Sequence, residues 1–471
     1  MTFSARWCTL PHHMRGTAAF AGIIVLLAAR PAAAQVRVNA PAELTAPWER
    51  FISSHPFPPG LEGVVTVREG AQPGFRIVEV SALVPVASLW DPLPVITRAK
   101  AESGTVRLLP LESVSLPDTA VPVDGLYPGD AGYPLTRRMA IGIQGDNGRL
   151  RRWFEGLPDL SPQDAPPRIR WIGAVGDIMP ARGVDAALVA KGGLERVFGD
   201  ALPFLRRLDL LVGNLEAAAT TGGARAVKTF TFRFDPRALA SLSSAGFSYL
   251  SIANNHTFDF GIEGFLDTLA SLHAAGIATS GAGATIEEAS RPAVMSLGGT
   301  EIRLLSFAAY PVDRTGFDGR TAARAAVDRP GTLWLDDEGI AAASLGFSTD
   351  AFNIALVHGG VEWSTSPTDV QKQKYRQLVR AGADLVIGSH PHVLQGLEAL
   401  DGKLIAYSLG NFLFPGMEGM PGGEESLILE VGTYGRRIVA VRGVPIRLHG
   451  AILRLRQGKT SVPLLGAAGV Q

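Results

Sequence analysis

The stretch Ala253-Asn254-Asn255-His256-Thr257-Phe258-Asp259-Phe260-Gly261 places two amides, an imidazole and a carboxylate directly after an apolar run of Phe247, Tyr249, Leu250 and Ile252. The run reads as a buried strand. Polar groups this dense beyond a buried strand lose hydration that only a metal, a ligand or one another can replace. Open α/β sheets place their sites at such strand ends. The same texture recurs along the chain. Apolar runs over 169–175, 208–212, 352–357, 385–387 and 404–407 lead into Gly176-Asp177-Ile178-Met179, Gly213-Asn214-Leu215-Glu216, His358-Gly359-Gly360-Val361-Glu362, Gly388-Ser389-His390-Pro391-His392 and Ser408-Leu409-Gly410-Asn411-Phe412. Helix-like segments over 194–205, 236–245, 264–275 and 368–381 alternate with them, which predicts an α/β architecture. A hairpin is expected over 293–308, turning at Gly298-Gly299. A β-rich tail over 426–456 is expected to turn at Gly432 and Gly443 and to complete a second sheet.

Composition narrows what these motifs can do. The 471 residues are 46% hydrophobic and 19% charged, enough for a sizeable core and, as a prior, two or three domains. The 44 basic residues balance 44 acidic ones, so no long-range field draws in nucleic acid or an anionic membrane. Arg6 and Arg15 accompany an apolar stretch over 16–29 that is short for a membrane span, and Ala32-Ala33-Ala34 offers small residues for cleavage. A signal peptide over 1–34 and an exported protein, periplasmic or extracellular, are expected; the alternative is an uncleaved anchor. Cys8, the one cysteine, falls inside that segment. A chain starting near Gln35 then has no thiol, which excludes disulfides, zinc–thiolate centres and cysteine nucleophiles. The proline-rich region 36–160 is expected to form a small α/β accessory domain, with strands over 75–86 and 138–143 and a helix over 48–52. Residues 161–167 read as a linker, 168–456 as the main domain and 457–471 as a C-terminal tail.

Taken singly, each motif has a plain explanation. Asp177 can cap a helix, Glu216 can sit at a helix start, Asn255 can be a turn residue, and a lone His358 is more often a satisfied core histidine. Their co-location argues otherwise. Of nine histidines, His12 and His13 precede Gln35, which leaves seven; four of these, His256, His358, His390 and His392, fall in the strand-end motifs. His55, His273 and His449 lie outside them and read as surface or core residues. In extended backbone His390 and His392 would point the same way, toward one ion. Carboxylate, amide and imidazole donors without sulfur suit Mn, Fe, Zn or Mg, and two ions can share one carboxylate. His256 is the candidate to protonate a leaving group, with Asp259 close enough to orient its ring.

The motif series also resembles a known family. Gly176-Asp177-Ile178-Met179, Asn214-Leu215-Glu216, Asn254-Asn255-His256 with Asp259 and Gly261, His358-Gly359-Gly360 with Glu362, Gly388-Ser389-His390-Pro391-His392 with Gln395-Gly396, and Tyr407-Ser408-Leu409-Gly410-Asn411-Phe412 occur in the order found in the bacterial CapA family of poly-γ-glutamate capsule biosynthesis proteins. The resemblance spans about residues 168–414. That family is similar to the calcineurin-like metallophosphoesterases, which implies a four-layer α/β/β/α sandwich with one or two divalent ions at the strand ends. It implies Asp177, Glu216, Asn255, His358, His390 and His392 as metal ligands and His256 as the acid. It implies Arg182, Arg233 and Glu362 as substrate-binding positions. Two residues depart from the phosphoesterase pattern: Met179 stands where that superfamily has a histidine ligand, and Glu216 stands for its bridging aspartate. Both departures are shared with the CapA pattern. Many CapA relatives also carry an aromatic residue where this chain has Gly359. The implied function is a metal-dependent hydrolase or transferase acting on an exported anionic polymer such as poly-γ-glutamate, in contact with membrane synthase components. The alternatives are a non-catalytic polymer-export or assembly factor using the same cleft, and a general metallophosphoesterase.

Overall fold

The computed structural model describes residues 35–41, 44–58, 61–90, 94–144, 148–160, 167–417, 419–449 and 452–455. The expected signal peptide with Cys8, all of the linker but Pro167, and the tail over 457–471 lie outside the described residues. The chain divides into two compact units, Met1–Ala82 with Leu135–Pro166, and Leu83–Pro134 with Pro167–Gln471.

In the first unit, strand Glu62–Glu69 pairs parallel with Gln35–Asn39 and antiparallel with Thr136–Gln144. The beginning of strand Arg76–Ser88 adds to Thr136–Gln144 on its other side. Trp48 and Phe51, three positions apart on helix Thr45–Ser54, share one face and pack with Val65, Val67, Met139 and Ile141. The end of the same long strand, from Leu83, pairs instead with Leu108–Pro110 and Asp118–Ala120 in the second unit. This division differs from the expected accessory domain over 36–160, because residues 83–134 group with the larger unit. Alternation in the run over 75–86 marks a strand but not its partners, so the handover is invisible in the sequence.

The second unit is a mixed α/β fold built on two sheets. Strands β1 (Arg170–Ile178), β2 (Leu210–Leu215) and β3 (Phe247–Ser251) are parallel neighbours in the order β3-β2-β1. β4 (Ala293–Leu297) and β5 (Thr300–Ala309) form the expected hairpin. They belong to a second sheet with β6 (Phe352–Gly359), β7 (Leu385–Ser389), β8 (Leu397–Leu400) and β9 (Lys403–Ala406), ordered β4-β5-β6-β7-β9-β8. β10 (Asn411–Leu413) returns to pair with β1. β11 (Glu425–Tyr434), β12 (Arg437–His449) and β13 (Ile452–Leu455) then extend the first sheet beyond β1. The C-terminal strands therefore widen the sheet that carries Asp177 and do not complete the other one. Their reversal falls at Gly435, in the left-handed region with φ of 55°. Gly432 and Gly443 lie inside strands. A Cβ there would come within 2.8 Å of Ile169 and 2.6 Å of Leu427 respectively, so these glycines make room for neighbours and do not turn the chain.

One apolar cluster takes Ile172, Val212 and Leu429 from the first sheet and Leu304, Ile354 and Leu385 from the second. The buried Tyr249 hydroxyl links the sheets, 2.7 Å from Ser280 Oγ and 2.6 Å from Ser306 Oγ. Helices α1 (Ala238–Ala245) and α2 (Gly261–Ala274) bury Leu239, Leu242 and Phe265 with Val175 and Phe247 of the first sheet. Helices α3 (Asp337–Gly346) and α4 (Asp369–Arg380) bury Ala343, Tyr375 and Leu378 with Leu305, Phe307 and Val357 of the second. Thr368 caps α4, its hydroxyl accepting from the Gln371 N–H at 3.1 Å.

The polar motifs follow the C-terminal ends of β1, β2, β3, β6 and β7. Two backbone devices aim them. The β1–β2 register slips between Ala174 and Asp177, a bulge of the kind that redirects side chains beside sites. Gly176 lies against the Gly410 carbonyl so closely that any Cβ would collide with it. Because the obstacle is backbone, it cannot yield by a rotamer change. Gly176→Ala is therefore expected to cost about 2 kcal/mol or more, at the scale of core overpacking, read as a lower midpoint in urea unfolding. An unchanged midpoint would contradict the close approach.

Candidate metal centre

The strand ends converge on Glu216. Asp177, Glu216 and His392 are buried and offer ligand atoms that all lie within 4.8 Å of one another. Asp177 Oδ2 is 3.3 Å from His392 Nδ1 and accepts from the His390 backbone N–H at 3.2 Å, while Oδ1 accepts from Asn214 Nδ2 at 2.9 Å. A second set sits opposite: Asn255 Oδ1 is 2.8 Å from His358 Nε2, which is 3.1 Å from His390 Nδ1. Glu216 Oε1 touches both sets, 3.7 Å from His358 Nε2 and 3.8 Å from His392 Nε2, and is 3.9 Å from His256 Nε2. Neither oxygen of the buried Glu216 carboxylate has a hydrogen-bond donor, and His390 Nε2 is likewise without a partner.

The electrostatics follow from this crowding. Burial, reinforced by the charge of Asp177, raises Glu216 well above the carboxylate range. Burial also lowers His358 well below the usual imidazole value, with His390 adding to the effect. It lowers His390 to about 3, with His392 contributing. At Asp177 burial acts upward but is outweighed, chiefly by the His392 hydrogen bond, so this carboxyl falls well below its ordinary value. His392 moves the other way: burial pulls it down, but Asp177 prevails and raises it. The neutral imidazoles of His358 and His390, the His392 ring held by Asp177, an ionised aspartate and a carboxyl lacking any donor form a set that fits a divalent cation.

Around these atoms stands a layer of polar side chains whose part the sequence did not disclose. Asn254 Nδ2 donates to Asn214 Oδ1 at 3.1 Å and to the Leu215 carbonyl at 2.8 Å, which fixes the Asn214 amide toward Asp177. Ser389 Oγ lies 2.9 Å from His358 Nδ1, and Asn411 Oδ1 lies 2.9 Å from His392 Nδ1. Partners of this kind set the ring orientation of metal-binding histidines. His390 and His392 do not use extended alternation to face the site. Their φ angles of 97° and 60° put both in the left-handed region, and the chain turns at each. Strain of that kind in non-glycine residues concentrates at functional sites. Met179 is fully buried in the apolar cluster shared by β1 and helices α1 and α2. Its thioether joins the core, so Asp177 has no ligand neighbour two residues on.

His256 forms a separate arm. Its Nδ1 is 2.6 Å from Asp259 Oδ2, and because a carboxylate only accepts, Nδ1 carries the proton. Asp259 also accepts from the Phe232 backbone N–H at 2.7 Å and from Lys228 Nζ at 2.6 Å. The Lys228 side chain is 2% exposed and donates in addition to the Asn255 carbonyl at 2.6 Å. No pattern around residue 228 singles out this lysine, since it reaches the site from a loop without regular structure. Burial lowers His256 against the opposing charge of Asp259, and Lys228 helps to lower it.

A cleft of about 620 Å³ opens over this cluster and is lined by His256, Asn255, His390 and His392 together with Arg182 and Glu362. The rings of Trp363 and Phe414 flank His392 at 5.5 and 5.0 Å, and Phe232 flanks His256 at 4.4 Å. Arg233 does not reach the cleft; it lines a neighbouring groove that also contains Arg182. Of the remaining histidines, His55 stacks on Phe51 at 4.4 Å and His273 is exposed. The side chain of His449 lies outside the described residues.

Sheets that gather carboxylate, amide and imidazole donors at the ends of parallel strands define an α/β protein with a candidate metal centre. The sequence profile described as Bacterial capsule synthesis protein PGA_cap matches residues 171–416, which contain every donor named above, and the chain belongs to that family. It is 33% identical over 245 residues to the PGA biosynthesis protein CapA of Bacillus subtilis (strain 168), covering 51% of this chain and 62% of that one. It is 30% identical over 249 residues to the Capsule biosynthesis protein CapA of Bacillus anthracis, covering 51% and 58%. It is 30% identical over 293 residues to the Probable polyglutamine synthesis accessory protein Rv0574c of Mycobacterium tuberculosis (strain ATCC 25618 / H37Rv), covering 59% and 75%. The match thus spans less than two thirds of either Bacillus protein.

Two measurements test the centre. Elemental analysis of purified protein is expected to find bound divalent metal, and Glu216→Ala or His390→Ala is expected to lose it. Metal affinity should also rise with pH. With its raised pKa, metal-free Glu216 keeps a proton that a cation must displace, so affinity is gained as pH climbs toward that pKa and lost below it. Calorimetric titrations in mildly acidic and mildly alkaline buffer check the sign; pH-independent affinity would remove Glu216 from the ligand set.

Proposed function

We propose that this chain is an exported metal-dependent hydrolase or transferase of capsule biosynthesis, acting on an anionic polymer of the poly-γ-glutamate type. The observation that carries the reading is the buried Glu216 carboxylate without a donor, set among the rings of His358, His390 and His392 and beside the His256–Asp259–Lys228 arm. The relatives' names supply the polymer, and the expected signal over 1–34 supplies the location outside the cytoplasm. Association with membrane synthase components belongs to the same proposal. So does the α/β/β/α layering, supported by helices packed with each sheet and one cluster common to both sheets.

Asp177, Glu216 and His392 would hold one ion, and Glu216, Asn255, His358 and His390 a second. A bound divalent ion supplies Lewis-acid polarisation and makes water a stronger acid. The protein supplies positioning and proton transfer. Asp259 holds the His256 ring by Nδ1, which leaves Nε2 facing the cleft to move protons. A lowered pKa keeps His256 neutral at rest. It then takes the proton of the attacking water, or of a polymer end in the transferase case, and delivers it to the leaving group as the acyl bond breaks. Lys228 fixes Asp259 by a charge-assisted hydrogen bond. Arg182 and Glu362 stand at the cleft wall, where they can contact substrate.

His256→Asn is expected to lower turnover of poly-γ-glutamate by about 10²- to 10⁴-fold while metal content stays at the parent level. Lys228→Met should lower turnover less and shift the pH–rate profile, because Asp259 would lose one of its donors. A second reading, a binding and assembly factor without catalysis, is favoured by Met179, which leaves the Asp177 set one side-chain ligand short. In a producing host carrying His256→Asn, altered polymer length supports the enzyme. A lower amount at unchanged length, with metal-ligand variants behaving normally, supports the binding factor. A general metallophosphoesterase would turn over aryl phosphates with added Mn.

A further inference from the structure

Beside the cleft lies a groove of about 610 Å³ that shares Arg182, Thr229, Phe230 and Phe232 with it and adds Arg225, Arg233 and Phe260. Three guanidinium groups line this groove and no acidic side chain does. Elsewhere the chain pairs its arginines readily: Arg207 and Arg442 share Glu430, Arg320 and Arg324 share Asp336, and Arg376 meets Glu398. Among the described residues none of Arg182, Arg225 and Arg233 has such a carboxylate. Each is nonetheless held. Arg182 donates to the Pro415 carbonyl at 2.7 Å with its guanidinium 5.0 Å over the Phe232 ring. Arg233 lies 4.7 Å over the Phe260 ring. Arg225 Nε donates to Thr231 Oγ1 at 2.6 Å.

Stacking orients a guanidinium plane and leaves its N–H edges free for planar, bidentate acceptors. Two such edges with the hydrogen-bonded Arg225 in one groove, and no acidic side chain lining it to neutralise them, form a site for several anionic groups on one ligand. Phe232 and Phe260 are already covered by Arg182 and Arg233, and Phe232 also packs on His256, so these rings offer little for stacking nucleobases. The shared wall makes the groove continuous with the cleft. We propose that the Arg182–Arg225–Arg233 groove is a second subsite that binds a linear polycarboxylate chain as it leaves the metal cleft. This rests on the polymer reading above. It adds that the protein grips its substrate at a distance from the reacting bond, and so favours long chains over short ones.

The test measures binding of fluorescent long poly-γ-glutamate and of a γ-linked glutamate dimer to the full metal-loaded protein. The proteins compared are the parent, Arg225→Glu, Arg233→Glu and, as an exposed control, Arg380→Glu. Each groove reversal is expected to weaken long-chain binding roughly tenfold or more and to flatten its salt dependence. Dimer binding, metal content and the control should stay at parent values. Equal binding of long chains by groove variants and parent overturns the subsite. So does an equal loss for dimer and long chain, which would assign the arginines to the cleft itself. Tighter binding of single-stranded DNA or polyphosphate than of polyglutamate, lost in the same variants, overturns the polycarboxylate assignment. Metal content and the effect of His256→Asn report separately on the catalytic reading, so either can fail without the other.

Discussion

A carboxylate buried without a donor is the constraint around which the second unit is arranged. Glu216 has no accessible surface, no N–H or O–H within reach, and an ionised aspartate nearby. Left to itself it must take up a proton or be matched by a cation, because an uncompensated buried charge costs several kcal/mol. Its surroundings favour the cation. His358 and His390 are held neutral, with lone pairs to offer a cation, and without one Glu216 keeps a proton that it can share with the ionised Asp177. A structural role would have been met more simply by an apolar side chain. The cluster therefore reads as a site whose cost in stability is accepted for function.

The fold meets the demands of that carboxylate through the backbone more than through packing. β2 delivers Glu216 from its C-terminal end, β1 reaches the same level by a bulge, and β6 and β7 arrive from the other sheet. Bringing donor groups from two sheets around one atom needs the sheets held to each other, which the shared apolar cluster and the Tyr249–Ser306 hydrogen bond accomplish. It also needs loops that come unusually close, hence glycine at 176 against the Gly410 carbonyl. The helices packed with each sheet bury ordinary apolar side chains.

How much of this could be read from the sequence depended on the range of the signal. The strand ends were legible because burial and polarity change abruptly there, as at Ile252 to Asn254, and the hairpin at Gly298-Gly299 was legible because its turn is local. The cluster was legible because four of seven histidines do not fall by chance into strand-end motifs. What stayed hidden was long-range or conformational. Arg76–Ser88 changes partners midway, and no residue within it marks the change. Gly432 and Gly443 look like turn residues but answer to side chains on neighbouring strands. His390 and His392 reach the site through left-handed backbone, which their identities do not advertise. Lys228 was missed because its importance comes entirely from Asp259, thirty-one positions away.

The burial of Met179 bears on how the two donor sets divide the work. Asn255 and His390 each lie in contact with His358, which is 3.7 Å from Glu216, so that side offers four protein groups to a cation. The Asp177 side has His392 and Glu216, and the residue two positions on is spent in the core. A cation there would keep more positions open to water or to a substrate oxygen. His256 Nε2 lies 3.9 Å from the Glu216 oxygen, with Asp259 and Lys228 behind it, so on the proposed reading it would transfer protons beside the carboxylate common to both sets. On the proposed enzyme reading, the missing ligand at Met179 is a division of roles: one set would fix an ion and the other would leave room for chemistry.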